Sequence, residues 1–189
     1  MLSFDIGVAL RKTGSNLDAK LLEAFIRVES GGKGYDDKTG KILIQFEPSW
    51  YRKKAPYAPS GAWSVNKIEV QSKEWIAFNN ALDINPIAAM ESTSIGLPQI
   101  MGFHWKRLGY QSVGHFWESM KHSLVEQIAA LIRFIETDKN LLKAFQQKDW
   151  HKMAYYYNGS GYAAQAHRLG IKPYNEQLKA AYEDLTKHA

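Results

Sequence analysis

Glu29 closes an amphipathic stretch, Leu17 to Val28, and is followed at once by Ser30, Gly31 and Gly32. A carboxyl group placed where a helix gives way to a glycine turn sits half in apolar surroundings and half in the open. Apolar surroundings penalise the charged form and hold the proton to higher pH, which is what a general acid needs. Glu47 stands eighteen positions later, at the end of the β-rich run Ile42, Leu43, Ile44 and Phe46 and just before Pro48. Asp36 and Asp37 lie between the two, within Tyr35-Asp36-Asp37-Lys38-Thr39-Gly40, and turn formation accounts for them.

Ser15 with Asp18 three residues on resembles a capping box, and Leu17, Leu21, Leu22, Phe25, Ile26 and Val28 recur at helical spacing, which predicts a helix over about 16–30. The turn at 35–40 and the run at 42–46 predict a small β-hairpin beside that helix. A hairpin there would bring Glu29 and Glu47 across one cleft. From Ser49 to Asn66, Pro56, Pro59 and Gly61 among Trp50, Tyr51, Tyr57 and Trp63 predict an irregular loop able to cover that cleft. Helical patterning dominates from Ser72: Trp75, Phe78, Ala81 and Leu82 space one helix and Pro86 opens the next. Ser94 to Gly102 reads as a break followed by a short helix. Val113 to Met120, Val125 to Thr137, Leu141 to Gln146, Trp150 to Tyr156 and Asn175 to Lys187 carry further amphipathic patterns. The expectation is an α+β fold, predominantly α-helical, in one domain spanning 1–189.

Composition bounds the chemistry. With 189 residues, 45% of them hydrophobic and 13% aromatic, the chain can bury a sizeable core without staples. It has no cysteine, which excludes disulfides, thiolate zinc sites and a cysteine nucleophile. A net charge of +5 and a pI near 9.2 favour anionic polymers such as nucleic acid, lipopolysaccharide, teichoic acid or a bacterial wall. The histidines at 104, 115, 122, 151, 167 and 188 lack metal-ligand spacing, and neither a phosphate loop nor a dinucleotide fingerprint appears, so no cofactor or metal is expected. Arg52-Lys53-Lys54 amid tyrosines reads as a solvated loop that draws the protein to an anionic wall, rather than as a nucleic-acid patch. Tyr174, Leu178, Ala181, Tyr182 and Leu185 form a last amphipathic face, expected to pack on the domain rather than on outer-membrane lipid. Asp5 lies within the apolar part of 1–14 and the basic pair Arg11-Lys12 follows it, the reverse of a secretory signal. No heptad repeat argues for assembly, and a monomer is expected.

Val28-Glu29-Ser30-Gly31-Gly32, Phe46-Glu47-Pro48, Ser94-Ile95-Gly96-Leu97-Pro98-Gln99-Ile100-Met101-Gly102 and Tyr157-Asn158-Gly159 stand in an order that resembles the lysozyme-like superfamily. Among its members the similarity is greatest to the N-acetylmuramidase domain of bacteriophage endolysins. Trp75-Ile76-Ala77-Phe78-Asn79, Phe134-Ile135 and Lys148-Asp149-Trp150 match as well, so the resemblance runs from about Leu17 to Leu185. Where this chain has Ile95 the family usually carries an aromatic residue, and often another where it has Pro98.

The resemblance implies cleavage of the β-1,4 bond between N-acetylmuramic acid and N-acetylglucosamine in peptidoglycan, with Glu29 as the catalytic acid. Glu47 would be the second carboxylate, attacking the anomeric carbon at a separation of about 5 Å or activating water at about 6.5–9.5 Å. Ser94, Gly96 and Gln99 would form one wall of the sugar site, with Gly96 allowing close backbone approach and Gln99 supplying an amide to sugar hydroxyls or the acetamido group. Tyr157 would stack on a pyranose from the opposite wall, with Asn158 beside it. Similar proteins often carry a separate wall-binding module, and none is expected within these 189 residues. The implied protein is made in the host cytoplasm and reaches the wall after release with a holin. Two rivals stay open: a lytic transglycosylase, which uses one acid–base residue and forms 1,6-anhydromuramic products, and a non-catalytic peptidoglycan-binding protein.

Overall fold

A computed structural model of the chain describes residues 2–67 and 70–187, so that His188 lies outside the described residues. In chain order the elements are α1 (Leu2–Thr13), α2 (Ala19–Ser30), β1 (Ile44–Phe46), α3 (Pro48–Lys54), α4 (Gln71–Ile84), α5 (Pro86–Glu91), β2 (Thr93–Ile95) and β3 (Ile100–Met101). They continue with α6 (Val113–His122), α7 (Leu124–Glu136), α8 (Lys139–Gln147), α9 (Trp150–Asn158), α10 (Tyr162–Leu169) and α11 (Tyr174–Lys187). The fold is α+β and mostly helical, as the sequence predicts. By contact the chain divides into two compact units, Met1–Gly32 with Ile128–Ala189, and Lys33–Gln127. Among the described residues no helix is long and apolar enough to cross a membrane.

In the first unit α2 is the organising helix. Its N-cap is Asp18, whose Oδ1 accepts from Lys20 N at 2.9 Å and Leu21 N at 3.2 Å; Ser15 Oγ instead accepts from Leu17 N within the preceding turn. The helix therefore starts at Ala19, later than the periodicity alone suggests, because the aspartate satisfies the first free amides. Gly31 ends it in the left-handed conformation at φ 62, with its N–H on Arg27 O. Leu21, Leu22, Phe25 and Ile26 are fully buried, and α1 and α11 both pack on α2. Leu178 of α11 is fully buried too, so the last amphipathic helix does pack on its own unit. Lys148, Tyr182 and Asp18 tie α8, α11 and the start of α2 together, with Lys148 Nζ and Tyr182 Oη each 3.1 Å from Asp18 Oδ2.

The second unit holds an antiparallel sheet ordered β1-β2-β3, with Gln45 opposite Ser94 and Ser94 opposite Met101. The hairpin expected at 35–46 is reduced to a single bridge, Tyr35 with Ile42, closed by Asp36 N on Lys41 O at 2.8 Å. The strand itself pairs with residues some fifty positions downstream, because β2 offers a fully buried partner. Its other edge is covered by side chains of α4. Gln71 accepts from Ile44 N at 3.0 Å and donates to Ile44 O at 2.8 Å, while Glu74 Oε2 accepts from Phe46 N at 2.7 Å. Side-chain amide and carboxylate thus stand where another strand would be, and the edge is closed to further pairing. The segment expected as a break and short helix is a β-hairpin, β2–β3, turning through Gly96–Gln99, with a 3-10 turn at Gly102–His104 after it. Pro98 therefore lies in a turn and opens no helix.

Candidate active site

Glu29, Tyr157 and Asn158 fall in the first unit; Glu47, Ser94, Gly96 and Gln99 fall in the second. Each group has its own surroundings.

Glu29 lies in the last turn of α2, in the aromatic end of its unit. Phe25, one turn earlier, has its ring centroid 4.4 Å from Tyr157 in an edge arrangement and 5.4 Å from Phe145. Tyr157 is also edge-on to Phe134 at 5.4 Å and stacked at 13° with Tyr174. The Tyr174 hydroxyl donates a short hydrogen bond to Glu29 Oε1. Burial of the carboxyl raises its pKa to about 7, against the lowering effect of that one hydrogen bond. A carboxylate in water would be ionised at neutral pH; here desolvation outweighs a single hydroxyl donor, and much of Glu29 keeps its proton. Burial, and then the Glu29 charge, push both tyrosine hydroxyls well above the ordinary phenol range, so both stay protonated and able to donate. The Asn158 side chain, nearby, opposes that rise at Tyr174.

Tyr174 is the residue sequence reasoning missed as part of the site. It lies 145 positions from Glu29 and reads as the first turn of an amphipathic helix. Its one signal is an aromatic with a polar tip at a helix start, on a face otherwise built of Leu, Ala and Tyr.

In the second unit Glu47 is the residue before α3, whose first helical position is Pro48. Its side chain makes no capping bond to the helix. Oε1 accepts instead from Gln45 Nε2 at 2.7 Å, and the residue is half-buried. Buried Glu74 lies close enough for the two charges to interact. Burial first, and then Glu47, raise the Glu74 pKa, opposed by hydrogen bonds from Phe46 N and the Asn66 amide.

The hairpin carries the other three residues. Ser94 Oγ donates to Gln99 Oε1 at 3.0 Å, and Gln99 Nε2 donates to Gly96 O at 2.7 Å. Gln99 takes a left-handed backbone at φ 48, unusual for a side-chain-bearing residue, with its own amide closing the turn. One N–H and one lone pair of that amide remain for a ligand. Gly96 has φ 73, and a Cβ there would lie 2.8 Å from Gln127 Oε1. The close approach at this glycine is thus to a buried side chain. Gln127 accepts from Leu97 N at 2.7 Å and donates to Met120 O at 3.0 Å, and so braces the turn from α7. It too escaped sequence reasoning, although a glutamine inside the apolar run 125–137 is a signal of its own.

A family profile described as N-acetylmuramidase matches residues 18–186. The chain is similar to the crystal structure of a Burkholderia AP3 phage endolysin, with a TM-score of 0.80 and 32% identity over 98% of this chain and 70% of that one. A search of curated proteins finds no match.

Proposed function

The chain belongs to the N-acetylmuramidase family and is a glycoside hydrolase acting on peptidoglycan, and we propose that it cleaves the β-1,4 bond between N-acetylmuramic acid and N-acetylglucosamine with Glu29 as general acid. The observation that carries this reading is the Glu29 environment: a carboxyl at the aromatic end of its unit, given a hydroxyl donor by Tyr174 and held by burial at a pKa of about 7. At neutral pH such a group both holds a proton and can release it. The proton passes to the glycosidic oxygen as the bond to the anomeric carbon breaks, and the carboxylate left behind is stabilised by the Tyr174 hydroxyl. Water completes the reaction, its hydroxyl going to the anomeric carbon and its remaining proton back to a carboxylate.

Glu47 is the proposed second carboxylate, as nucleophile or as base for that water. Ser94, Gly96 and Gln99 shape one sugar-facing element, and Tyr157 with Asn158 another; the free valences of the Gln99 amide and the exposure of Asn158 support those roles. Lysis of the cell follows from loss of the wall, with a holin giving access to it. The net charge of +5 supports attraction to the anionic wall.

Mass spectrometry of digested peptidoglycan tests the reading. Muramic acid at the new reducing ends, with a water added per cleavage, is expected. N-acetylglucosamine at those ends overturns the bond assignment. Products one water lighter would replace hydrolysis by transglycosylation, and wall that stays intact would leave a binding protein.

A further inference from the structure

A pocket of about 180 Å³ opens in the first unit where the end of α9, the helix α10 and the start of α11 meet. Two of its lining residues, Tyr174 and Asn158, also belong to the surroundings of Glu29: Tyr174 holds the carboxyl and Asn158 lies beside Tyr174. The remainder of the lining includes Leu169, Ile171, Lys172 and Gln165. Leu169 and Ile171 are 57% and 54% exposed, two large aliphatic residues flanking one glycine. The local backbone accounts for their position. Gly170 ends α10 in the left-handed region at φ 64, and Ile171 N bonds back to Ala166 O at 3.1 Å, so the chain reverses tightly before Pro173 leads into α11. Folding leaves both side chains about half in water, so that aliphatic surface is available at the mouth of the pocket. Lys172 and Arg168 beside them make no ion pair among the described residues.

We propose that this pocket receives the first residues of the stem peptide carried by the muramic acid whose glycosidic bond is cut. The inference rests on the reading of Glu29 as the acid. Muramic acid differs from its neighbour sugar by a lactyl ether whose carbonyl is amide-linked to alanine and then to a γ-linked glutamate with a free carboxylate. Whichever sugar lies against the acid, its substituents must leave past the residues around it. The pocket offers what that substituent requires: aliphatic surface for the alanine methyl, carboxamides of Gln165 and Asn158 for peptide N–H and C=O groups, and the Lys172 ammonium for the carboxylate. Its volume suits one or two amino-acid residues and is too small for a disaccharide. Specificity for muramic acid over N-acetylglucosamine then comes in part from a substituent remote from the scissile bond.

The test compares glycan strands bearing intact stems with strands stripped by an amidase, using the full chain and the variants Ile171→Ser and Lys172→Glu. Neither residue belongs to the catalytic machinery. The wild-type protein is expected to favour stem-bearing strands in kcat/KM, and each variant to lose about tenfold on those strands, the scale of one charge-assisted contact for Lys172 and of about two buried methylene groups for Ile171, with stem-free strands unaffected. Equal losses on both substrates, or none on either, overturn the proposal. A second measurement keeps it separate from the catalytic reading. Methyl signals of Leu169 and Ile171 in the Glu29→Gln protein are expected to shift on titration with N-acetylmuramyl-L-alanyl-γ-D-glutamate and to stay fixed with N-acetylmuramic acid alone. Shifts with no hydrolysis by the wild type would sink the catalytic reading and keep the pocket. Absence of shifts beside normal hydrolysis would sink the pocket alone.

Discussion

Glu29 and Glu47 are two half-buried glutamates at helix ends, and their surroundings differ in kind. Glu29 ends α2 near Phe25, Tyr157 and Tyr174, where among the described residues one hydroxyl is its side-chain hydrogen-bond donor and burial decides its protonation. Glu47 precedes α3 in a polar corner. Its oxygen takes the Gln45 amide, and Gln71, Glu74, Ser94, Gln99 and Gln127 fix the nearby strands and turn through specific donors and acceptors. The first region tunes a proton; the second fixes a shape. Aromatic enclosure shifts a titration without requiring any one partner, whereas an amide network fails wherever one member is lost.

The sharpest break is Glu29→Gln. The amide keeps the volume and still accepts from Tyr174 but has no proton to give, so wall-clearing activity is expected to fall by about 10³-fold or more. The same change should stabilise the fold at high pH. A carboxyl raised from 4.5 to about 7 binds its proton more tightly folded than unfolded, so its contribution is complete below about 4.5 and is lost as pH rises through 7. Above pH 8 the variant is expected to exceed the wild type by on the order of 2–3 kcal/mol in denaturant midpoints taken with the m-value, and to match it near pH 4. Equal stability at both pH values would show that burial is not what holds the proton.

The counterpart in the polar region is Gln127→Leu. It preserves bulk and strands two buried backbone groups, Leu97 N–H and Met120 C=O. A cost of about 3 kcal/mol is expected in chemical denaturation, with little dependence on pH. Glu47→Gln comes next. The replacement can still accept from Gln45, so folding should be unchanged while hydrolysis drops on the order of 10²-fold if Glu47 supplies the second carboxylate. Activity retained in that variant, with anhydro products, would leave Glu29 as the one acid–base group.

These regions were unequally legible in the sequence. The helices α4, α6, α7, α8, α9 and α11 follow from apolar spacing, and α5 from Pro86 at its first position. Helix α1 buries little beyond Ile6 and Ala9, and α10 little beyond Tyr162 and Ala166, so neither leaves a strong periodic trace. Helix α3 was hidden by reading Pro48 as a stop when it stands at the first helical position. Sheet pairing was invisible for a different reason. A period of two marks Ile44–Phe46 as a strand but carries no information on which distant segment joins it, and the covering role of Gln71 and Glu74 depends on α4 lying alongside β1. Glu29 was legible because its own helix supplies the apolar neighbours. Its partner Tyr174 arrives from another helix far along the chain, and only the fold brings the two together.

The smallest change tests the finest part of the contrast. Tyr174→Phe removes one oxygen and keeps the ring that stacks with Tyr157 and meets Phe25. If burial and the hydroxyl set the Glu29 titration as opposing influences, losing the hydroxyl leaves burial unopposed and the pKa rises above 7. The alkaline limb of the pH–rate profile is then expected to move upward by about one unit, the scale of a hydrogen bond to a charged group. At pH 6, where Glu29 is protonated in both proteins, the rate should fall severalfold because the departing carboxylate has lost its donor. At pH 8 the larger protonated fraction offsets that loss, and the two proteins converge. A uniform loss at every pH would mean that Tyr174 merely packs, and that the proton of Glu29 is governed by aromatic enclosure alone.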